Sequence, residues 1–374
     1  MDDATLAGQV LMIGVDGLQV PSPSSAALLR EVRPGAIVLF GFNLSPDPRV
    51  VAGLCGGIRS EATSSRPAPA LPPFIAVDHE GGPVYRFSGG LTRLPSARRL
   101  GLAGQAAALV AGTTAGTELR TVGITMNLAP VVEALTGTNK AFLSDRAWSD
   151  DPVKAAALAG TFIEACQAGG TAAVAKHFPG NADDPHTNQP VLDVSREELE
   201  RVYLVPFDAA VRRGVSAVML SHAVVPAIDP ERPVTLSPAA VSALKDGLGF
   251  RGIVLSDDLV MAAVARPKAV RSGAAGSIRT GGLAVAAMHA GADMLMVSGG
   301  NDIREAWIAL QKAVADGNLP RARLEDAAFR IVYQKVRFGL VDETATERET
   351  RLGALPELVE TNGKALAEAL KTDR

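Results

Sequence analysis

Short apolar runs recur along the chain, bounded by Gly, Pro, Asn or Asp and separated by longer stretches of helical periodicity. They cover residues 10–15, 36–40, 74–77, 124–128, 172–175, 217–220, 252–255 and 293–297. Val, Ile, Leu and Met dominate them and polar residues rarely alternate, the pattern of parallel strands covered on both faces. Parallel neighbours need crossover connections, and the intervening segments are long enough to supply helices. Ser195 and Glu198 fit a capping box ahead of a helix reaching residue 213. Ser237-Pro238 places a capping side chain before a proline at the first helical position. Ile303, Trp307, Leu310 and Val314 repeat at helical spacing through 301–317. Eight strand–helix units predict a (β/α)8 barrel over residues 1–340, with an open doubly wound sheet as the alternative. Residues 341–374 lose the strand pattern and read as a helical tail packed on the barrel. The Ser/Pro/Ala-rich stretch 59–73 and the Gly/Ser/Ala-rich stretch 267–282 read as loops.

The polar residues that end the runs sharpen this picture. Asp16, Asn43, Asp78, Asn127, Lys176-His177, Ser221-His222, Asp257-Asp258 and Ser298 stand at or just after the eight apolar segments. In a barrel those strand ends converge on one face, where active sites are built. A polar pocket at the C-terminal rim follows.

Composition narrows the partners. Lys and Arg number 37 against 40 Asp and Glu, so no basic surplus exists to drive nucleic-acid binding. Cys55 and Cys166 have no metal-ligand spacing and read as small buried residues, so no metal site is expected. No apolar run is long enough to span a membrane. The acidic start Met1-Asp2-Asp3 lacks the pattern of a signal peptide, and a cytoplasmic monomer is expected.

Several rim residues could carry chemistry. Asp257 and Asp258 follow a strand, and side-chain alternation lets one face the pocket while the other caps or anchors a neighbour. Lys176 ends an apolar strand, where burial without acceptors is costly. It reads as a snorkelling side chain beside a core His177, as a donor to a hydroxylated or anionic ligand, or as a Schiff-base lysine. Asp184 and His186 lie two apart, close enough for the carboxylate to orient an imidazole that titrates near neutral pH. Asp78 and Glu80 put two carboxylates at the third strand end. Arg146 offers a fork of donors to a ligand, or else a surface ion pair with Asp145 or Asp150.

In order, the chain carries Val77-Asp78-His79-Glu80-Gly81-Gly82, Asn127-Leu128-Ala129-Pro130-Val131, Asp145-Arg146-Ala147-Trp148-Ser149 and Lys176-His177-Phe178-Pro179-Gly180. Asp184-Pro185-His186, Met219-Leu220-Ser221-His222, Pro233-Val234-Thr235-Leu236-Ser237 and Ser256-Asp257-Asp258-Leu259 follow. This series resembles glycoside hydrolase family 3, in its bacterial β-N-acetylhexosaminidase branch, over roughly residues 5–340. The resemblance implies a retaining exo-β-N-acetylglucosaminidase acting on GlcNAc-terminated peptidoglycan fragments or chitooligosaccharides. Asp257 matches the nucleophile, and His186 with Asp184 matches the general acid/base dyad. Asp78, Arg146, Lys176 and His177 match positions that hold the terminal sugar. No cofactor is implied.

The chain departs from the family pattern at three places. Only Asn181-Ala182-Asp183 separates Gly180 from the dyad, a shorter stretch than in relatives. Pro185 stands between the dyad residues where the family has Ser, fixing φ there. Pro83 replaces an Arg after Glu80-Gly81-Gly82, with Arg86 nearby. These departures keep open a sugar-binding relative with weak or no catalysis, and a family 3 exo-glycosidase of other sugar specificity.

Overall fold

Each of the eight apolar runs forms a strand. In the computed structural model, which describes residues 1–64, 71–185, 189–261, 264 and 279–371, they are β1 (Leu11–Gly14), β2 (Ala36–Leu39), β3 (Phe74–Val77), β4 (Met126–Asn127), β5 (Ala172–Phe178), β6 (Ala217–Leu220), β7 (Ile253–Ser256) and β8 (Leu295–Val297). Parallel pairing runs β7-β6-β5-β4-β3-β2-β1-β8. A parallel bridge between Leu255 and Met294 joins the two ends, reinforced where Ser256 N donates to Met294 O at 2.9 Å. The sheet therefore curls into a (β/α)8 barrel, and the open-sheet alternative falls away.

Side-chain alternation explains why these strands carry so little polarity. Ala172, Val174, Ala217, Met219, Ile253 and Leu255 join one apolar cluster. Their neighbours Ala173, Ala175, Val218, Leu220 and Val254 join another, with Phe162, Ile163 and Phe207 of the surrounding helices. Both faces of the wall are thus buried, so neither can be polar.

Helix starts follow the local chemistry. Asp47 and Asp151 each accept from backbone N–H groups one or two residues into a helix that opens on proline, Pro48–Thr63 and Pro152–Ala168. Ser195 accepts from Glu198 N at 3.1 Å and starts the helical run to Arg212. A wider turn at Leu199–Tyr203 interrupts that run just before Pro206, whose missing N–H leaves the Val202 carbonyl without its helical partner. Ser237 accepts from Ala240 N at 3.2 Å.

One loop boundary needs correction. The stretch 59–73 does not begin as a loop, because the helix continues to Thr63. Val51, Leu54, Cys55, Ile58 and Ala62 keep a buried helical stripe, and Arg59 is itself buried against Gly123 O at 2.8 Å. Of the other expected loop, residues 267–278 lie outside the described residues, and the chain is helical again over Thr280–Ala290.

The tail is a single 25-residue helix, Ala345–Ala369, opened by a Thr344–Glu347 capping box. It packs along Gln105–Thr121, where buried Glu118 accepts from Asn362 Nδ2 at 2.9 Å and from Thr92 N at 2.7 Å. Glu343, just before the tail helix, takes Arg59 at 2.6 Å and Arg120 at 2.8 Å, with Arg351 on the same oxygen as Arg120. Among the described residues no helix is long and apolar enough to cross a membrane. Removing the Glu343 carboxylate would leave buried guanidiniums without a counter-charge, a loss of about 3 kcal/mol. We therefore expect Glu343→Ala to lower the urea unfolding midpoint accordingly, and a change below about 0.5 kcal/mol would show the cluster is dispensable.

Candidate active site

The C-terminal ends of the strands surround a cavity of about 570 Å³. Five of the seven residues singled out in the sequence line it: Asp78, Arg146, Lys176, His177 and Asp257. The others belong to the loop after β5. Asp184 is half-buried just outside the lining, Pro185 is buried in the wall, and His186 lies outside the described residues.

A chain of charges forms the floor. Lys176 sits inside β5 rather than after it, with a side chain only 3% exposed. Its Nζ bridges Asp78 Oδ1 at 2.6 Å and Glu80 Oε1 at 2.7 Å. Arg146 then grips Glu80 through two parallel bonds, Nε to Oε2 at 2.8 Å and Nη2 to Oε1 at 2.9 Å. Two cations thus match two carboxylates, which is how buried charges survive desolvation. Burial alone would raise the Glu80 carboxyl, but Lys176 and Arg146 outweigh it and hold it down to about 2. Burial works against the Lys176 ammonium too, yet Asp78 and Glu80 keep its pKa above the ordinary lysine value. An ammonium so held is no nucleophile, which removes the Schiff-base alternative. Arg146 likewise faces Glu80 and not Asp145 or Asp150. One Lys176 N–H, the unused Arg146 donors and the partly exposed Asp78 remain to meet ligand hydroxyls.

His177 is oriented by Glu133. Nδ1 lies 2.9 Å from Glu133 Oε1, which also accepts from the His177 backbone N–H at 3.0 Å, while Oε2 takes Asn181 N at 2.8 Å. A carboxylate on Nδ1 fixes the tautomer and leaves Nε2 for the cavity. The peptide bonds Lys176–His177 and Phe178–Pro179 are both cis.

The two aspartates after β7 divide their tasks as alternation suggests. Asp258 anchors β8, accepting from Ser298 N at 3.2 Å, from Ser298 Oγ and from Val260 N at 3.3 Å. Burial, with a smaller push from the Asp257 charge, raises its pKa. Asp257 uses Oδ1 to accept from Asp258 N at 2.8 Å. Burial would raise its carboxyl as well, but the nearby His222, His177 and Lys176 and the Asp258 N–H hold it below the usual carboxylate range. An ionised carboxylate therefore stands on the cavity wall at neutral pH.

Two other strand-end residues are structural. Asn43 is buried, donating to Val15 O at 3.0 Å and Gly17 O at 2.9 Å, and Asn127 exchanges bonds with the His79 backbone at 3.2 Å. The sequence placed the Glu80 carboxylate at the third strand end without a role, and it missed Glu133. A glutamate inside the apolar stretch 128–134 is the signal that could have found Glu133, since burial there demands donors. Pro83 lies outside this cavity, and Arg86 lines it. Among the described residues, no cluster of His, Cys, Asp and Glu could hold a metal ion.

Comparison with known proteins fits this geometry. Residues 6–333 match the glycosyl hydrolase family 3 N terminal domain. The chain is 37% identical to a beta-hexosaminidase of Methylococcus capsulatus, over 70% of this chain and 75% of that one. The chain belongs to glycosyl hydrolase family 3. Within the family it sits in the bacterial β-N-acetylhexosaminidase branch and is a glycoside hydrolase. It superimposes on a family 3 beta-N-acetylglucosaminidase from a Paenibacillus strain with a TM-score of 0.85, at 32% identity, covering 96% of this chain and 69% of that one. A beta-N-acetylhexosaminidase from Beutenbergia cavernae gives 0.77 at 29% identity, covering 90% and 99%.

The charge chain in this family 3 hydrolase makes a pH prediction. The Glu80 pKa falls from an ordinary 4.5 to about 2 on folding, so its ion pairs stabilise the protein fully above the unfolded value. That contribution is lost as pH falls through the folded value. Urea unfolding of the wild type should therefore weaken from about pH 5 to pH 3 more steeply than that of Glu80→Gln. Equal slopes would show that Glu80 is not the ionised partner.

Proposed function

We propose that the protein is a retaining exo-β-N-acetylglucosaminidase that removes terminal GlcNAc from peptidoglycan fragments or chitooligosaccharides. The observation that carries this reading is the ionised Asp257 carboxylate on the wall of a cavity whose floor is the Asp78–Lys176–Glu80–Arg146 charge chain. Asp257 attacks the anomeric carbon and forms a glycosyl ester, while the bond to the leaving oxygen breaks. The proton that oxygen needs comes from a His186 imidazolium oriented by Asp184, which is left as the imidazole. Water then gives its proton back to the same imidazole and attacks the ester carbon, restoring Asp257 and releasing the sugar with retained configuration.

Three features of the chain support these roles. Asp258 is committed to Ser298 and Val260, which leaves Asp257 as the free carboxylate of the pair. Pro185 is buried in the cavity wall, so the chain reaches the cavity at the residue before His186 despite its short approach. Asp78, Arg146, Lys176 and His177 present donors and an acceptor to sugar hydroxyls. Such contacts lower the barrier when they tighten as the ring flattens toward an oxocarbenium ion. The names of the relatives support the N-acetylated sugar as the unit removed.

A panel of aryl glycosides tests the reading. The N-acetylglucosaminide should be cleaved well ahead of the glucoside and the xyloside. Asp257→Ala should lose about 10⁴-fold or more in kcat, and His186→Ala about 10²- to 10⁴-fold. Binding of GlcNAc with no turnover of any aryl glycoside would instead identify a silent sugar-binding relative. Full activity of Asp257→Ala would remove it as the nucleophile.

A further inference from the structure

Two hollows adjoin the cavity, and the order of the strands tells them apart. One shares Val84, Phe142 and Arg146 with the cavity, so it sits on the side of the charge chain. The other, of about 210 Å³, shares Phe40. Its walls are Asp16 after β1, Phe40 and Phe42 after β2, and Ser298, Asn301 and Arg304 after β8. Strands β8, β1 and β2 are neighbours, and they face β4 across the closed barrel. The charge chain comes from that facing arc, from the β3 side, the loop after β4, and β5. Ser298 donates its backbone N–H to Asp258 at 3.2 Å, so the second hollow opens beside the turn that carries Asp257.

Phe42 is the unusual wall. Its side chain is 65% exposed, although burying an apolar ring is favourable. It stacks on Phe40 with ring centroids 5.8 Å apart and planes 21° from parallel. The short turn that carries it, Gly41–Asn43, is pinned from below. Buried Asn43 donates to Val15 O and Gly17 O and accepts from Phe40 N at 2.9 Å. The ring is therefore held at the rim before any ligand arrives, and using its face requires little further ordering. An aromatic face carries negative charge density. A β-linked gluco-configured pyranose keeps its substituents equatorial, so both of its faces are lined by axial C–H groups of slight positive charge. The two surfaces match. The equatorial groups of a stacked ring radiate outward, where exposed Asp16 and Asn301 stand at the edge of the hollow. Arg304 engages Glu31 through Nε and Nη2, which leaves Nη1 as a further donor there.

We infer that Phe42, backed by Phe40, is the platform for the leaving sugar and so a specificity-determining residue for a β-1,4-linked N-acetylated pyranose. The inference rests on the proposed reading, in which Asp257 is the nucleophile and the charge chain holds the hydroxyls of the terminal sugar. With those hydroxyls turned to the arc of β3, β4 and β5, the anomeric carbon and the unit beyond it face the arc of β8, β1 and β2. Phe42 stands there. Binding energy from a remote unit of the substrate that is realised in the transition state raises kcat/KM. Phe42 itself touches no reacting atom.

Calorimetric binding to the Asp257→Ala chain tests the platform without turnover. The ligands are GlcNAc, its β-1,4-linked disaccharide with GlcNAc, and its β-1,4-linked disaccharide with N-acetylmuramic acid. At least one disaccharide should bind about tenfold more tightly than GlcNAc. The one that gains identifies the source of the leaving sugar. Phe42→Ala in the same background should remove that gain, and Phe42→Trp should keep it. The exposed position spares the fold in both. Disaccharides no tighter than GlcNAc, or a gain that survives Phe42→Ala, would overturn the inference. In the active enzyme the reference is methyl β-N-acetylglucosaminide, whose methyl group is too short to reach the ring. The kcat/KM of the preferred disaccharide relative to that reference should fall about tenfold with Phe42→Ala. An unmoved ratio would equally contradict the platform. A protein that turns over no glycoside would defeat the proposed activity, while the binding ratio would still decide where the second sugar lies.

Discussion

The active-site architecture depends on a requirement for neutralised charge at the rim of an apolar barrel. Lys176 points from within a buried strand that is apolar up to it, and its ammonium cannot remain there alone. Asp78 and Glu80 from the β3 side supply the counter-charge, and Arg146 from the loop after β4 completes it. The same bonds that make burial tolerable also fix four side chains relative to one another. Preorganised polar groups cost little to align at the moment of reaction, which is why such a chain suits a site that binds hydroxyls.

Closure of the barrel brings the other half of the site to the same place. β7 lies beside β6 and joins β8 through Leu255 and Met294, so its end opens onto the cavity from the side opposite β3. Asp258 ties β7 to β8 through Ser298, and His222 ties β6 to the Asp258 backbone. Asp257 is thus carried on a turn held from two neighbouring strands. The tail helix anchors elsewhere, through Glu118 and Glu343, and stabilises the barrel wall without entering the site.

The strands were legible because a wall buried on both faces leaves an almost uninterrupted apolar signature. Strand ends were less so. Lys176 reads locally as the end of a strand, yet β5 continues to Phe178 because partners 98 and 96 residues upstream neutralise it across the sheet. Arg59 misleads in the same way, since Glu343 lies 284 residues away. Among site residues, Asp78, Arg146, Lys176, His177 and Asp257 were recognisable as a series of motifs. Glu80 and Glu133 find their partners through bonds to residues tens of positions away, so their pairing could not be read locally.

The central claim is that one carboxylate, ionised by its buried surroundings, forms the bond to the sugar. Trapping that bond tests it most directly. A fluorinated GlcNAc donor that forms the glycosyl ester quickly and releases it slowly can be incubated with the enzyme, followed by proteolysis and mass spectrometry of the peptides. The account predicts one sugar per chain, attached to Asp257. A sugar on Asp258 or Glu80, or turnover of the donor with no covalent intermediate, would contradict it.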